Sequence, residues 1–563
     1  MSSAATRDRR AFWLFLLLAV LVLGAGIGMR DPWPADEPRF ALVAKQMVES
    51  GDWLIPHRGS ELYADKPPLF MDLQASAFEL TGNWRVAFLL PSLLAALGTL
   101  LLVYDLGRRL WNRRVGRLAA WLVLFAIGFT FQAKRAQIDP TVTFLIVLAV
   151  YGFLRHLLLG PDWRWWALGG LAAGLGVVTK GVGVLAFFVL LPWVWLRWRA
   201  RRGVSAADTN STVRGGWRWA LAPALCLIAI AAWLLPLLWV VHAQQDPAYT
   251  AYLDNLLFKQ TAERYAAAWH HQQPVWYYLE VIALQWLPLS LFLPWLIPAW
   301  WRRLRRGDPR YTLLLGFVFL IVLFFSLSAG KREVYILPAL PLLALAAAPL
   351  LTALLARWPW SGRLLWGLCA AFATAALIAG IYAWRVAPDW GLRQLDSRDI
   401  DRAANVIWIW LTAIGACGLI ACAITGPRRS LRAATATLAV FWICVGVGIM
   451  PALNDSSSAR GLMRAVGARI GMSGELGLVA WKEQNLLMAD RPATDFGFSK
   501  PWREQLSAAI RWQAAVPAQR WILLPDSALD PCVARERAVD VGESNRSHWW
   551  LFRADAVANI CRN

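Results

Sequence analysis

The sequence has few charged side chains. Asp, Glu, Lys and Arg make up 17% of its 563 residues, whereas 58% of the residues are hydrophobic. An average soluble domain carries about 25% charged residues, so an ordinary soluble fold is excluded for most of the chain. Histidine is also scarce, with six residues, and no Cys/His set has the spacing of a structural zinc site. The sequence also lacks a P-loop, a dinucleotide fingerprint and a Ser-His-Asp order.

Long apolar runs dominate what is present. Runs of about 18 or more apolar residues are typical of transmembrane helices. The sequence predicts a mainly α, polytopic membrane protein of about 13 such helices. Their expected positions are 11–29, 86–106, 118–133, 140–158, 166–179, 181–197, 219–242, 277–300, 311–329, 334–356, 364–384, 403–425 and 433–451.

The net charge of +21 follows the membrane topology and does not indicate nucleic-acid binding. Arginine clusters lie between apolar runs, and cytoplasmic loops are enriched in such residues. The clusters predict a cytoplasmic N-terminus, and an odd number of spans then places the C-terminal region outside. The clusters are Arg7/Arg9/Arg10, Arg108 to Arg117, Arg197 to Arg202, Arg302 to Arg306 and Arg428 to Arg432.

Two regions are predicted. Residues 1–451 form the transmembrane domain, whose first periplasmic loop (residues 30–85, hereafter the first loop) is the predicted active-site loop. Residues 452–563 form a small periplasmic α/β domain (hereafter the C-terminal domain), because helical patches alternate there with strand-like runs. The helical patches are 458–470 and 503–515, and the strand-like runs are 477–481, 521–525 and 549–552. Cys532 and Cys561 form a disulfide if this region meets an oxidising compartment, and otherwise remain thiols.

Acidic residues mark two predicted ends of membrane spans. Asp36 and Glu37 follow the first span, and Asp139 begins the fourth. Both Asp36 and Asp139 can be interpreted as helix N-caps. Alternatively, they are carboxylates that face a substrate at the membrane surface, since an acid near the hydrocarbon edge is costly unless paired or lining a cavity.

The chain has only eight lysines, and on the predicted topology all of them map to the outer side. A compact ammonium suits a phosphate headgroup. Lys66, between Tyr63 and the rigid Pro67-Pro68 turn, and Lys331, close to Tyr335, are the strongest candidates; Arg264 is a further phosphate contact. Thr179-Lys180-Gly181 is too short to be more than suggestive. A divalent metal held by Asp65 with His270 or His271 stays open. The eight are Lys45, Lys66, Lys134, Lys180, Lys259, Lys331, Lys482 and Lys500.

The stretch from Asp36 to Trp53, followed by Tyr63-Ala-Asp-Lys-Pro-Pro68, resembles the first periplasmic loop of bacterial polyprenyl-phosphate-dependent glycosyltransferases. These are membrane enzymes of the GT-C fold. They include the lipid A aminoarabinose transferases and, more distantly, the protein O-mannosyltransferases. The resemblance continues through Gln137 to Asp139, Thr179 to Gly181, Arg264-Tyr265 and Lys331 to Pro338. Asp65, where those transferases often have Glu, and Val182, where they often have Pro, are departures that bear on the substrate.

The resemblance implies roles for individual residues. Asp36 and Asp139 would be catalytic. The predicted substrate-binding residues are Glu37, Arg39, Tyr63, Lys66, Arg264, Lys331 and Tyr335.

The resulting hypothesis is an inverting glycosyltransferase of the bacterial inner membrane. It would move a sugar from undecaprenyl phosphate to a periplasmic-face acceptor, with aminoarabinose and lipid A phosphate as the best match. Transfer of another sugar to an envelope glycan or a protein hydroxyl is the alternative. A lipid-linked sugar transporter is disfavoured, because the polar residues cluster at one face and not near the midplane. A non-catalytic scaffold would leave the loop charges unexplained.

Overall fold

The computed structural model describes residues 3–202, 215–257, 272–396, 404–558 and 561. Nine helices among these residues are long and apolar enough to cross a membrane. Two bent helix pairs, with angles of 71° and 107°, raise the number to eleven if each pair is one span. The nine are Trp84–Leu110, Ile138–Leu159, Gly183–Arg201, Gly216–Gln244, Pro309–Leu327, Ala339–Arg357, Pro359–Val386, Asn405–Thr425 and Pro427–Ala452; the pairs are Arg113–Leu124 with Ile127–Ala133 and Tyr277–Gln285 with Ser290–Arg305.

The prediction of a mainly α, polytopic membrane protein is confirmed. The two other predicted spans, 11–29 and 166–179, correspond to the helices Ser3–Gly24 and Trp163–Lys180. Neither is among the eleven. The first begins with four charged residues within positions 7–10, and the second has only 18 residues with a cation near each end. The charged residues leave each helix with fewer than 18 uninterrupted uncharged residues on its apolar side.

The first loop is itself folded. It contains two helices and a short antiparallel hairpin between them, in which His57–Arg58 pairs with Glu61–Leu62. The helix Glu37–Ser50 has Pro38 in its first turn, where a missing N–H costs nothing. It ends at Gly51, whose left-handed φ of 73° lets its N–H bond the carbonyl of Met47. The second helix is Leu69–Thr81.

The C-terminal region contains a five-stranded mixed sheet. The strand order is Ala493–Asp495, Glu475–Leu478, Arg520–Pro525, Ser547–Phe552, Val539–Ser544; the first three strands are parallel and the last two antiparallel. The helices Arg460–Ile470 and Trp502–Ala515 lie where the sequence predicts helical patches. Cys532 and Cys561 are joined by a disulfide. The smaller helices here are Asn454–Ser458 and Glu483–Leu487.

The C-terminal domain packs directly on the first loop. Asp31 of the loop accepts hydrogen bonds from Asn454 and Arg460 of that domain at 2.8 and 2.5 Å. The hydroxyl of Ser60 bonds a carboxylate oxygen of Asp495 at 2.7 Å. Burial alone would raise the pKa of Asp31, but bonds from Arg460, Arg85 and Asn454 lower it to about 2. Asp31 is thus ionised at neutral pH and fixes the domain to the loop.

Candidate active site

Asp36 precedes the helix Glu37–Ser50, but its carboxylate is directed away from the helix amides. One oxygen accepts a hydrogen bond from Arg332 at 3.2 Å, and the other lies 3.8 Å from the Nη1 of Arg39. Burial alone would raise the pKa of Asp36, but the charges of Arg332 and Arg39 lower it below the usual value. Asp36 is therefore an ionised carboxylate held by two arginines, which is more than a helix cap requires.

Asp139, in the first turn of the helix Ile138–Leu159, forms an ion pair with Lys180. Its side chain is 4% exposed, so the pair lies almost out of water. The charge of Arg332 interacts with both Asp36 and Asp139. Burial would lower the pKa of Arg332, but the negative charges of Asp36 and Asp139 raise it. Arg332 therefore contacts Asp36 directly and lies within electrostatic range of Asp139.

A cleft opens beside Asp139, whereas Asp36 is not among the residues that line it. One part of its wall is polar and carries Asp65, Lys66, Asp139 and Lys180. The remainder is apolar and is formed largely by membrane-spanning helices; its lining residues include Val142, Ile146, Leu185, Ile321 and Phe325. A cleft lined by both charged and apolar side chains suits a ligand that has a charged group and an apolar part.

Tyr335 also lines this cleft. The Lys180 ammonium lies 5.0 Å from the centre of its ring, a distance at which a cation is attracted to an aromatic face. Lys66 also lines the cleft, and its ammonium donates to the carbonyl of Asp65 at 2.6 Å. Two lysines from distant parts of the chain thus converge at the polar end.

The environment of Lys331 differs from the one expected of a residue that binds substrate. Its side chain is 5% exposed, and its ammonium donates to the carbonyls of Ser328 and Gln273 at 2.7 and 3.0 Å. These bonds fix the loop that carries Arg332 and Tyr335. The geometry does not support the predicted substrate contact of Lys331, and its neighbour Arg332 points to the acids instead.

Glu37 is fully buried and forms a two-pronged pair with Arg30 at 2.6 and 2.8 Å. Its oxygens also accept from the amides of Trp33 and Ala136 at 2.8 and 2.9 Å. Burial would raise the pKa of Glu37, but the charge and hydrogen bonds of Arg30 lower it. The predicted substrate contact of Glu37 is therefore not supported; the residue ties the segment of Asp36 to the segment that leads into Asp139.

This assignment predicts a stability effect. Glu37→Gln should lower the free energy of unfolding by about 3–5 kcal/mol, because it leaves Arg30 buried without its counter-charge. Glu49→Gln in the same helix is the matched control. Glu49 is 61% exposed and lies 3.7 Å from Lys45, so its loss should cost at most about 1 kcal/mol. Unfolding of the purified protein, followed by tryptophan fluorescence, measures both. Equal effects would contradict the anchoring role.

Tyr63 and Arg39 also lie behind the cleft wall. Tyr63 is 1% exposed and packs with Phe40, Val43 and Phe70 in the core of the first loop. Its burial raises its pKa, so the phenol stays neutral. The expectation that Tyr63 forms a substrate platform is thus not supported by its position. Arg39 holds Asp36 from the side opposite Arg332 and does not itself line the cleft.

Arg264, Tyr265, His270 and His271 lie outside the described residues, so their predicted phosphate or metal contacts stay predictions. Among residues 3–202, 215–257, 272–396 and 404–558, no group of three or more His, Cys, Asp or Glu side chains is arranged to hold a metal ion. The structure therefore gives no support for a metal site whose ligands all lie among these described residues.

Sequence reasoning missed two cations of the site. Arg332 lies within the stretch from Lys331 to Pro338, but arginine is so common in this chain that the sequence does not single it out. Lys180 was noted only within a short motif. The available signal for both was their position at the end of an apolar run, since a charge there is costly unless it is paired.

The helices and the bent spans define a polytopic membrane protein with the GT-C fold. Residues 9–245 match the family described as dolichyl-phosphate-mannose-protein mannosyltransferase. Over 97% of the chain, the fold superposes on 99% of the crystal structure of ArnT from Cupriavidus metallidurans bound to undecaprenyl phosphate, with a TM-score of 0.76 and 18% identity.

The similarity in sequence is to a set of bacterial transferases. The undecaprenyl phosphate-α-4-amino-4-deoxy-L-arabinose arabinosyl transferase of Pseudomonas paraeruginosa is 31% identical over 60% of this chain and 59% of its own length. A protein of the same description from Pseudomonas fluorescens is 29% identical over 72% of this chain and 68% of its own length. The resemblance to lipid A aminoarabinose transferases is confirmed, although several matches span only about three fifths of the relatives.

Proposed function

We propose that this chain transfers a sugar from a polyprenyl-phosphate donor to an acceptor at the outer membrane-water interface. The donor is undecaprenyl phosphate-linked aminoarabinose and the acceptor is a lipid A phosphate. The observation that carries the proposal is the cleft, whose Lys66 and Lys180 suit a phosphate and whose apolar wall suits a polyprenyl chain. The names of the similar transferases support the choice of donor.

In this reaction the bond between the anomeric carbon and the donor phosphate oxygen breaks. A new bond forms between that carbon and an acceptor oxygen, with inversion. The leaving group is a polyprenyl phosphate that gains negative charge, so fixed cations at the cleft should dominate catalysis. Lys66 and Lys180 supply that charge in the described cleft, and Arg264 is proposed to add to it. Tyr335 shapes the wall against which the sugar lies.

The lowered pKa of Asp36 favours a phosphate acceptor over a hydroxyl. An effective general base has a pKa near the working pH, whereas Asp36 is a carboxylate with a pKa below its usual value. A phosphate monoester is largely ionised at neutral pH, since its second pKa is about 6, and needs no such base. Asp36 then orients the donor sugar and pairs with its ammonium group, and Asp139 holds Lys180 in place.

The membrane orientation is part of the proposal. The arginine clusters support an N-terminus on the cytoplasmic side of a bacterial inner membrane. The cleft and the C-terminal domain then face the periplasm, where the Cys532–Cys561 disulfide would be stable.

Mass spectrometry of lipid A tests the function. Cells that express the chain should carry lipid A with an added aminoarabinose mass, and cells with the empty vector should not. The purified protein should also release undecaprenyl phosphate when given the lipid-linked sugar and lipid A together. Unmodified lipid A in both experiments would overturn the acceptor assignment, and transfer to a hydroxyl-bearing glycan or protein instead would establish the alternative.

A further inference from the structure

Glu483 lies in the C-terminal domain, and the proposed transfer does not use it. It opens the helix Glu483–Leu487 and is 5% exposed. Its Oε1 accepts a hydrogen bond from the Nε of Arg39 at 2.9 Å and lies 3.7 Å from the Nη1 of Arg58. A carboxylate this deeply buried is retained only when cations pair with it, and here both cations come from the first loop.

Each of these arginines also contacts a carboxylate beside the cleft. The Nη1 of Arg39 lies 3.8 Å from the Oδ1 of Asp36, and the Nη1 of Arg58 donates to the Oδ2 of Asp65 at 3.3 Å. One residue of another domain therefore links two acids of the first loop, Asp36 and Asp65. The charges alternate along the series Asp36, Arg39, Glu483, Arg58, Asp65. Asp65 directly precedes Lys66 and lines the cleft with it.

Aromatic contacts fix one arginine of this series. The guanidinium of Arg58 lies 3.9 Å from the ring centre of Phe498 and 5.6 Å from that of Tyr63. Phe498 belongs to the C-terminal domain and Tyr63 to the first loop. Arg58 is therefore held between the two by stacking as well as by charge.

The charge balance shows what Glu483 does. With it, three carboxylates alternate with two guanidiniums, and each cation has an acid on either side. Without it, Arg39 and Arg58 would face each other across a buried gap and repel. Each would shift toward its remaining acid, Asp36 or Asp65, and move that acid with respect to the cleft.

We propose that Glu483 is a positioning residue for the transfer site. It acts through Arg39 and Arg58 and sets the placement of Asp36 and of the Asp65-Lys66 pair. This inference rests on the proposed function. It makes the C-terminal domain part of the site, although no residue of that domain is among those that line the described cleft.

Steady-state kinetics of the purified protein test this role with three variants. Glu483→Gln should lower kcat at least ~10-fold and change the donor KM far less, because displacement of about 1 Å can cost up to ~100-fold in rate. Glu483→Asp keeps the charge and should recover part of kcat. Glu475→Gln removes a carboxylate of the same domain that pairs with Arg520 at 2.8 Å, away from the first loop, and should leave kcat unchanged.

The double variant Arg39→Gln/Glu483→Gln adds a second test. If Glu483 acts through Arg39, the double variant should be no slower than the slower single variant, whereas multiplied losses would overturn the role. Melting temperatures accompany every variant. A lowered melting temperature with equal kcat losses in Glu483→Gln and Glu483→Asp would reduce Glu483 to a domain contact.

The wild-type protein separates the two proposals. Absence of transfer from any polyprenyl-phosphate sugar by the wild type overturns the proposed function and the positioning role with it. Transfer by the wild type, with equal activity in Glu483→Gln, overturns the positioning role alone.

Discussion

Replacing Asp36 with Asn should lower kcat by about 10²–10³-fold with a smaller change in the donor KM. The substitution keeps the shape but removes the charge that Arg332 and Arg39 hold in place, and the loss of one preorganised electrostatic group has this magnitude in other enzymes. Radiolabelled sugar transfer by the purified protein measures it.

Asp52→Asn is the matched control for this experiment. Asp52 lies in the same first loop, and one of its oxygens accepts from the amides of Leu54 and Ile55 at 3.1 and 3.0 Å, which an Asn oxygen can also do. Its activity should stay near the wild type. If Asp36→Asn also retained activity within about twofold, Asp36 would be removed from the mechanism.

The pH profile should agree with the ionised state of Asp36. Because the folded protein lowers its pKa, the carboxylate is present above the usual carboxyl value and is lost only when the pH falls through the lowered one. If the activity of the wild type declines between pH 7 and 5, we therefore expect the same decline in Asp36→Asn, because Asp36 stays ionised over this range. A decline that occurs in the wild type but not in Asp36→Asn would mean that Asp36 titrates in this range and acts as a base.

Replacing Lys66 with Gln should weaken the binding of undecaprenyl phosphate by about 10–100-fold. A hydrogen bond to a charged group contributes roughly 1.5–3 kcal/mol, and Lys66 supplies one of the two ammonium groups that line the described cleft. The measurement is a titration of the purified protein in detergent, with intrinsic tryptophan fluorescence as the readout.

Lys500→Gln is the control for the second experiment. Lys500 is exposed on the C-terminal domain, and its loss changes the net charge equally without touching the cleft. Equal affinities of both variants would show that Lys66 does not bind the phosphate. Measurement at two salt concentrations adds a check, because a direct contact in a partly enclosed cleft is screened less than a long-range effect of net charge.

The fold could be predicted because its main signal is coarse. Bilayer thickness sets the length of each apolar run, and the bent pair Tyr277–Gln285 with Ser290–Arg305 still appeared in the sequence as one span. The bend itself was missed, since Pro288 between the two helices does not fix the direction of the chain. Three of the five strands of the C-terminal sheet overlap predicted strand-like runs, whereas Ala493–Asp495, Val539–Ser544 and the order of the strands were not predicted.

The site was only partly predictable, for reasons visible in adjacent residues. Asp36 and Glu37 have the same chemistry and neighbouring positions, yet one carboxylate meets Arg332 and the other is buried against Arg30. Lys331 and Arg332 show the same division. The direction of a side chain in an irregular segment depends on partners far along the chain, and the sequence pattern does not contain them.

The large separation in sequence between Glu483 and its partners also explains why the sequence alone does not identify this residue. It is one acid in a region with no catalytic motif, and 444 positions separate it from Arg39. The scarcity of lysine gave a useful list, since Lys66 and Lys180 line the cleft. The same reasoning also selects Lys331, which does not line the cleft, and passes over Arg332, because the scarcity of a residue type does not tell where its side chain points.

The docking of the C-terminal domain on the first loop has a consequence for how the protein is made. Asp495 lies 435 positions after Ser60, and Ser499 lies 438 positions after Glu61. At a synthesis rate of about 5–20 residues per second, the first loop waits roughly 20–90 seconds for the domain that completes its contacts. A nascent or prematurely terminated chain therefore has the acids and lysines of the cleft without Glu483, Asp495 and Ser499, which contact the first loop from the C-terminal domain.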